Sequence, residues 1–477
     1  MILTEPSVHN WSNKSILLFF VLSSLFIWHN TFSFFLGDDW SFIFDYAEGK
    51  SFTDYVFAAH GGHVIPLFQT FYTTELILFG KNVICFQFLS VLMWGLTSFI
   101  LYSVFIQISS GGYSKIIAII ISLLFCLHPN SADVVYWVFQ QGVILHLLFQ
   151  ALTILFYIKF IKKNSTKHFT LFILFLFFQN YFFGNGVLFP GLFLGNYLLE
   201  KRKINDKFIF ILLFFQLLFI FVQKSLSLQE INFTILFENR LDVVISFFKL
   251  VYVSLVRFFF IKQVGGNLMV FLSLILFTII CFLAYRNEKR FFSFALLYLI
   301  ISSISIPMAR FQIASFDPIR IHYYYSVLLF PPLFFLLFLA VSKSSLQHTR
   351  ILLLISSVYL IGFYFVNIQA KRIYAYKQFK NKEALNNAIL YSKKNYYPFE
   401  DAMFSSPKHI YQDNLLNESV QKSVLKSSYF EADSTIINYL GKETYKFFIF
   451  NNARVIKNYK YLENKSYFSL DLTYEKH

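Results

Sequence analysis

The chain has 477 residues and a formal net charge of +15, with 57% hydrophobic and only 14% charged residues. Its mean hydropathy is +0.56 and its apolar residues come in long runs, which excludes a soluble globular domain and predicts an integral membrane protein. Lys and Arg stand mostly in short clusters between these runs, as topology determinants do. The positive charge therefore does not indicate a nucleic-acid partner.

The first apolar run, residues 15–36, is long enough to cross a bilayer and lacks a small-residue cleavage site. We therefore predict a first transmembrane helix rather than a signal peptide. Two adjacent carboxylates, Asp38 and Asp39, follow it directly, where a charge needs water, a partner or a substrate. Capping of a following helix is the structural alternative, although one Asp is enough for a cap.

The segment after the Asp pair is amphipathic and loop-like, and it contains His60 and His63. Residues 64–80 are apolar but short for a span and carry Glu75, so they predict an interfacial or re-entrant helix.

Further spans follow along the chain. They are predicted at residues 84–108, 116–127, 142–159, 169–183, 187–199, 208–222, 268–285, 291–307, 323–341 and 351–369. Together with the first, this makes about eleven spans. His128, Pro129 and Asp133 predict a surface helix break after the third span.

Residues 243–261 are apolar but contain Lys249 and Arg257. A span here would put the basic cluster at residues 286–290 outside the cell, so we predict an interfacial or half-inserted helix.

Placing the basic clusters in the cytoplasm puts the N-terminus there and the Asp pair outside. The loops that contain His60, His128 and Arg310 then also face outward. Residues 371–477 are polar and carry short alternating runs, which predicts a small mixed α/β extracytoplasmic domain after a transmembrane domain at residues 1–370.

Several residues inside the apolar runs favour structural roles. Cys85, Cys126 and Cys281 have no ligand-like spacing and are expected to be small buried hydrophobes. Glu75, His146 and Gln179 are expected to pair inside the bundle.

The outward-facing loops combine acids, imidazoles and arginines, which suits a phosphorylated ligand. A carboxylate can take the proton of an attacking hydroxyl, and Arg and His can stabilise a departing phosphate. Arg310 and Arg320 offer bidentate donors near the membrane boundary, with snorkelling as the alternative explanation. Ordinary interfacial exposure is the alternative for His60 and His63.

The chain resembles the polytopic C-type glycosyltransferases (GT-C superfamily), which use polyprenyl-phosphate-linked sugars, over most of residues 15–370. The matching pieces are Gly37 to Trp40 after the first span, His60 to Pro66, His128 and Pro129 through Trp137, and Arg320 to Tyr325 before an apolar run.

This resemblance implies roles for individual residues. One of Asp38 and Asp39 would be the base that activates the acceptor hydroxyl, and the other would orient the acceptor or hold a divalent cation. Direct displacement of the lipid phosphate would invert the anomeric carbon. The donor-phosphate set would be Arg310, Arg320, His60 and His63, and the secondary candidates would be His128, Asp133 and Tyr324.

The resulting hypothesis is an enzyme of the bacterial inner membrane that moves a sugar from a polyprenyl-phosphate carrier to an extracytoplasmic glycan, lipid or protein. A flippase or transporter of lipid-linked saccharides is an alternative, because it also needs external Arg and an acid. A glycan polymerase or ligase that uses diphosphate-linked donors is another. No nucleotide-binding or zinc-protease motif is present in the sequence.

Overall fold

A computed structural model describes residues 11–29, 52–57, 59–60, 63–80, 82–109, 113–183, 186, 188–199, 206–226, 240–260, 267–310, 324–343 and 346–394. This part of the chain is a bundle of apolar helices, and its only strands are two of two residues each, Ala59–His60 and His63–Val64, paired antiparallel.

The helices, in chain order, are α1 Asn13–Trp28, α2 Phe52–Val56, α3 Pro66–Phe79, α4 Val83–Ile108, α5 Ser114–Leu127, α6 Ala132–Tyr136, α7 Gln141–Lys163, α8 Thr166–Phe182, α9 Phe189–Leu199, α10 Asp206–Leu226, α11 Arg240–Phe260, α12 Asn267–Asn287, α13 Lys289–Arg310, α14 Tyr324–Val341 and α15 Leu346–Lys394. Short 3₁₀ turns at Pro129–Ser131 and Val138–Gln140 flank α6.

Local sequence explains several of these boundaries. The hydroxyl of Ser12 accepts a hydrogen bond from the Ser15 backbone N–H at 3.2 Å and caps the start of α1. Pro66 opens α3, where its missing N–H costs nothing. Asn164 ends α7 in the left-handed conformation with φ 47°, as C-terminal Asn residues often do.

The structure confirms a polytopic helical membrane protein. Six helices of the described chain are long and apolar enough to cross a membrane, and the bent pair of Ser114–Leu127 with Pro129–Tyr136 makes up to seven. Shorter apolar helices add to the bundle, among them α1, which ends at Trp28, well before the predicted end at residue 36. The predicted total of about eleven crossings stays a prediction.

Close packing joins α1 to α4 through small residues. A Cβ atom at Gly95 would lie 3.0 Å from the Cα of Val21, so only Gly lets the two backbones approach this closely. One helical turn further along the same contact, the hydroxyl of Ser24 donates to the Val91 carbonyl at 2.9 Å. This pair of contacts fixes α1 against the centre of the bundle.

One end of the bundle, which we call the basic end, gathers lysines from the predicted cytoplasmic clusters. Lys115 donates to the Trp11 carbonyl at 3.1 Å, and Lys162 donates to the Gln107 carbonyl. Stacking of Phe105 on Phe338, with centroids 4.6 Å apart, brings the end of α14 to the same level. Its neighbour Lys343 donates to the Asn287 carbonyl at 2.5 Å, which places the turn between α12 and α13 there as well.

The other end of the bundle, the opposite end, collects the C-terminus of α1, the break after α5 and the start of α14. The Trp28 indole donates to the Cys126 carbonyl at 2.9 Å, and Arg257 near the end of α11 donates to Ser326 in the first turn of α14. Because α13 begins at the basic end and is 22 residues long, its last residue, Arg310, belongs to the opposite end.

Helix α11 covers the segment predicted to be interfacial or half-inserted. Its 20 residues from Leu241 to Phe260 are apolar and long enough to cross a membrane. This length also permits a full crossing, so the interfacial or half-inserted placement stays a prediction.

The last helix continues beyond the predicted end of the transmembrane domain. It runs over 49 residues, Leu346–Lys394, whereas the predicted span stopped at residue 369. The first part of the predicted C-terminal domain, residues 371–394, is thus a helical extension of α15, about 36 Å long at 1.5 Å per residue. Residues 395–477, which hold the rest of that domain, lie outside the described residues.

Candidate functional site

The predicted site residues divide into those with a described backbone and those without. His60 and His63 are paired in the backbone register of the short hairpin, and His63 lies in the strand that packs beside α10. Arg310 is the last residue of α13, and Tyr324 is the first of α14. Their side chains, like that of Asp133 in α6, lie outside the described part, and so do Asp38, Asp39 and Arg320 altogether.

His128 forms a buried helix break at the opposite end. Pro129 has no N–H to continue α5, and the helix stops at Leu127. The His128 ring accepts the Asn130 N–H at Nδ1, 3.3 Å away, and its Nε2 lies 3.4 Å from the Phe258 carbonyl. A neutral imidazole with its proton on Nε2 satisfies both contacts. The predicted break is confirmed, and both ring nitrogens of His128 are used within it.

The break leaves carbonyl groups at the end of α5 that the helix itself cannot satisfy. Asn130 and Ser131 would normally donate to Cys126 and Leu127, but their N–H groups bond to His128 instead. The indoles of Trp28 and Trp94 both donate to the Cys126 carbonyl at 2.9 Å. Asn367 donates to the Leu127 carbonyl at 2.8 Å. Since an unsatisfied carbonyl is costly in an apolar bundle, these side chains make the break tolerable.

The same turn also caps the end of α11. The amide of Asn130 donates to the Arg257 carbonyl at 3.0 Å, beside the contact between His128 and Phe258. The His128 ring packs against Phe330 of α14 at 4.4 Å and Phe363 of α15 at 5.1 Å. Six of the described helices therefore meet at this junction: α1, α4, α5, α11, α14 and α15.

Arg257 is the residue of the opposite end that sequence reasoning missed. It is only 2% exposed, and its Nη1 donates to the hydroxyl of Ser326 at 2.8 Å. A charged residue inside an apolar helix is expected to face the bundle interior and to serve a function. This signal was visible in the sequence, but the prediction for residues 243–261 gave Arg257 no role.

Glu75 lies buried in α3 at 2% exposure. Its Oε1 accepts a hydrogen bond of 3.0 Å from the Gln141 amide, which also donates to the Phe86 carbonyl at 2.9 Å. The helix predicted at residues 64–80 is confirmed, and Glu75 pairs inside the bundle as predicted. Glu75 thus joins α3 to α7, and the same Gln141 amide joins α7 to α4.

His146 and Gln179 were also expected to pair inside the bundle, and the structure confirms it. His146 Nδ1 lies 3.0 Å from the Gln179 carbonyl, and the Gln179 side chain accepts from Thr153 at 3.5 Å. Both residues are fully buried between α7 and α8.

The three cysteines are free thiols. Cys126 is buried as predicted, while Cys85 and Cys281 are only partly buried. Within the described ranges, no three His, Cys, Asp or Glu residues gather as metal ligands. Asp38 and Asp39, the predicted ligands of a divalent cation, are not in those ranges.

No protein-family model matches the chain, and no curated protein matches it with significant similarity.

Proposed function

We propose that the protein is a membrane glycosyltransferase that moves a sugar from a polyprenyl-phosphate carrier to an extracytoplasmic glycan, lipid or protein. The observation that supports this most is the position of the helix before the Asp pair. It ends at Trp28 beside the Cys126 carbonyl, at the end of the bundle away from the lysine-rich basic end. The Asp pair follows this helix in the sequence, and helices α13 and α14 end and begin at the same end of the bundle, at Arg310 and Tyr324.

In this proposal, one of Asp38 and Asp39 removes the proton of the acceptor hydroxyl, whose oxygen attacks the anomeric carbon of the donor. The bond from that carbon to the phosphate oxygen breaks with inversion, and the lipid phosphate keeps the electron pair. Arg310, Arg320, His60 and His63 stabilise the departing phosphate. The second Asp orients the acceptor or holds a divalent cation, and Asp133 and Tyr324 line the site.

The proposed orientation puts the basic end in the cytoplasm, since Lys and Arg near spans are retained there. The N-terminus is then cytoplasmic, and the active site and the segment after α15 are extracytoplasmic. We place the protein in a bacterial inner membrane, with about eleven crossings and a C-terminal mixed α/β domain.

A flippase for lipid-linked saccharides is the second candidate, and buried ionisable residues favour it. Glu75 and Arg257 are each 2% exposed within the bundle. Transporters place such groups along a substrate path near the midplane. Arg257, however, lies in the first-turn contacts of α14 at the opposite end, which fits a site at one membrane face better than a path through the bundle.

The experiment that tests the proposal is a donor panel. Purified full-length protein in lipid nanodiscs is incubated with polyprenyl-phosphate sugars or polyprenyl-diphosphate sugars and with glycan, lipid or protein acceptors, with and without chelator, and release of the carrier is measured. We expect release of polyprenyl phosphate from at least one monophosphate donor. Turnover of diphosphate donors alone would establish the polymerase or ligase instead. No turnover together with flipping of the lipid-linked saccharide in vesicles would establish the transporter.

A further inference from the structure

We infer that a groove between α8 and α10 binds one hydrocarbon chain of an anionic phospholipid, whose headgroup lies on Lys163 and Lys167. This lipid site is at the basic end of the bundle, away from the proposed active site. It would bind its phospholipid whether or not the protein transfers sugar.

The groove has a volume of about 370 Å³ and lies on the outside of the bundle. Its walls come from the first two turns of α8 and from the first half of α10, and every lining residue except one threonine is apolar. The main lining residues are Phe169, Thr170, Ile173, Phe210, Phe214 and Phe215. Such walls suit a hydrocarbon chain and offer almost nothing to a polar ligand.

Ring contacts between the two helices form the floor of the groove. Phe169 lies 5.8 Å from Phe208, and Phe177 lies 6.2 Å from Phe219. Phe208 and Phe219 are only 2% and 1% exposed, so these contacts lie beneath the groove and leave its mouth open. The helix between Phe169 and Phe177 is about 12 Å long at 1.5 Å per residue. A chain laid along it touches two walls and a floor, and gains more dispersion contacts than on a convex helix surface.

The groove opens toward the bilayer. Phe210 and Phe214 are 71% and 53% exposed, although both are large and apolar. Further along α10, Leu217 and Phe221 are each 67% exposed. On a polytopic membrane protein, a helix face of this kind contacts lipid, so the occupant of the groove is a lipid chain.

Two exposed lysines lie at the basic end of the groove. Lys163 is the last residue of α7, and Lys167 is the second residue of α8. Lys167 precedes Thr170 by three residues, which places it one helical turn from the groove on the same face. Among the described residues, neither lysine forms an ion pair with an acid. Lysines near helix ends reach the headgroup level of the bilayer, so both can meet a lipid phosphate there.

The surroundings of His168, next to Phe169, show how closely the positive charges gather. Desolvation lowers the pKa of His168, and the charges of three lysines lower it further, namely Lys163, Lys159 and Lys167. An anionic headgroup among them would relieve their mutual repulsion, whereas a neutral headgroup would not. Basic pockets between helices on the cytoplasmic side typically bind anionic headgroups. The ligand is therefore a phospholipid of this leaflet rather than polyprenyl phosphate, which the proposed function places at the opposite end.

The charge is tested by native mass spectrometry of purified full-length protein, incubated in detergent with equal amounts of phosphatidylglycerol and phosphatidylcholine that carry the same acyl chains. Lys163→Gln with Lys167→Gln should lower the ratio of retained phosphatidylglycerol to phosphatidylcholine about tenfold or more, since each lysine near the surface contributes about fivefold. Lys14→Gln with Lys289→Gln removes the same charge from exposed lysines at the starts of α1 and α13. This control should leave the ratio within about twofold.

The groove is tested by filling it. Thr170→Trp places an indole between the walls and should lower the retained phosphatidylglycerol about threefold or more, because the chain loses its contacts there. Leu174→Trp is the matched control, since Leu174 is 41% exposed one turn further along α8 and does not line the groove. It should retain as much phosphatidylglycerol as the wild type.

Equal retention of the two phospholipids by the wild type would overturn the inference, and so would an unchanged ratio in the double variant of Lys163 and Lys167. Equal losses in Thr170→Trp and Leu174→Trp would overturn the role of the groove. Displacement of phosphatidylglycerol by polyprenyl phosphate at the same concentration would assign the groove to the carrier and contradict the phospholipid. If Thr170→Trp does not fold, the lysine variants decide, because their side chains are exposed.

Discussion

The two ends of the bundle satisfy their helix termini in different ways. At the basic end, exposed lysines reach the last carbonyls of α4 and α12, as Lys162 and Lys343 do, and Lys343 is 49% exposed and also pairs with Glu288 at 3.3 Å. At the opposite end, fully buried Trp28 and Trp94 and nearly buried Asn130 bind the last carbonyls of α5 and α11.

This difference follows from how much water reaches the capping groups at each end. A lysine can cap a carbonyl where water still solvates its ammonium group, but a buried ammonium would cost more than the hydrogen bond returns. Neutral indole and amide donors avoid that cost. Against this neutral background, the buried cation Arg257 is an exception, and its Nη1 donates to the Ser326 hydroxyl at 2.8 Å.

The largest expected effect comes from replacing both indoles at the opposite end. In Trp28→Phe with Trp94→Phe, the Cys126 carbonyl loses both side-chain donors inside an apolar bundle. We expect the double variant to lose about 2–4 kcal/mol, more than the sum of the two single variants, since either Trp alone still caps the carbonyl. Thermal unfolding of the purified protein in detergent measures this.

Trp11→Phe is the matched control for the indole pair, because the Trp11 indole makes no hydrogen bond among the described residues. Its unfolding should change by no more than about 0.5 kcal/mol. If the stability losses of the two single Trp variants add up to the loss of the double variant, the two indoles do not back each other up at the Cys126 carbonyl, and the account of this junction is wrong.

A smaller effect is expected from Asn130→Ala, which removes the amide that caps the end of α11 at 3.0 Å. Hydrogen bonds within membrane bundles average about 0.6 kcal/mol and reach about 1.7, so we expect about 1 kcal/mol for this buried one. Asn13→Ala removes an exposed amide at the start of α1 and serves as the control. Equal stability of the two variants would show that the neutral cap contributes nothing.

The smallest effect is expected from Lys162→Met at the basic end. Water can replace an exposed lysine at the Gln107 carbonyl, so the free energy of unfolding should change by no more than about 0.5 kcal/mol. Chemical denaturation at two salt concentrations measures it. A loss as large as that of the Trp pair would remove the distinction between the two ends.

The sequence predicted the helices well because long apolar runs and flanking lysines are local signals. It also predicted the break at His128 from Pro129, and the pairing of Glu75 and His146 inside the bundle. It missed the capping role of Trp28, Trp94 and Asn367, since the contact between Asn367 and Leu127 joins residues 240 positions apart.

Arg257 was given no role for a related reason. The sequence shows its charge only within its own helix, whereas its burial depends on contacts with α14 and with the turn after α5. The Asp pair, Arg320 and most of the C-terminal domain remain predictions from the sequence.

The most direct test of the proposed function is sugar transfer by Asp38→Asn and Asp39→Asn, assayed in membranes at wild-type protein level with the donor that the panel identifies. Asp54→Asn, an exposed acid in the same predicted loop, is the control. Loss of a general base costs about 10²- to 10⁴-fold, so we expect a loss of this size in at least one variant and none in the control. Full activity in both Asp38→Asn and Asp39→Asn would contradict the proposed mechanism.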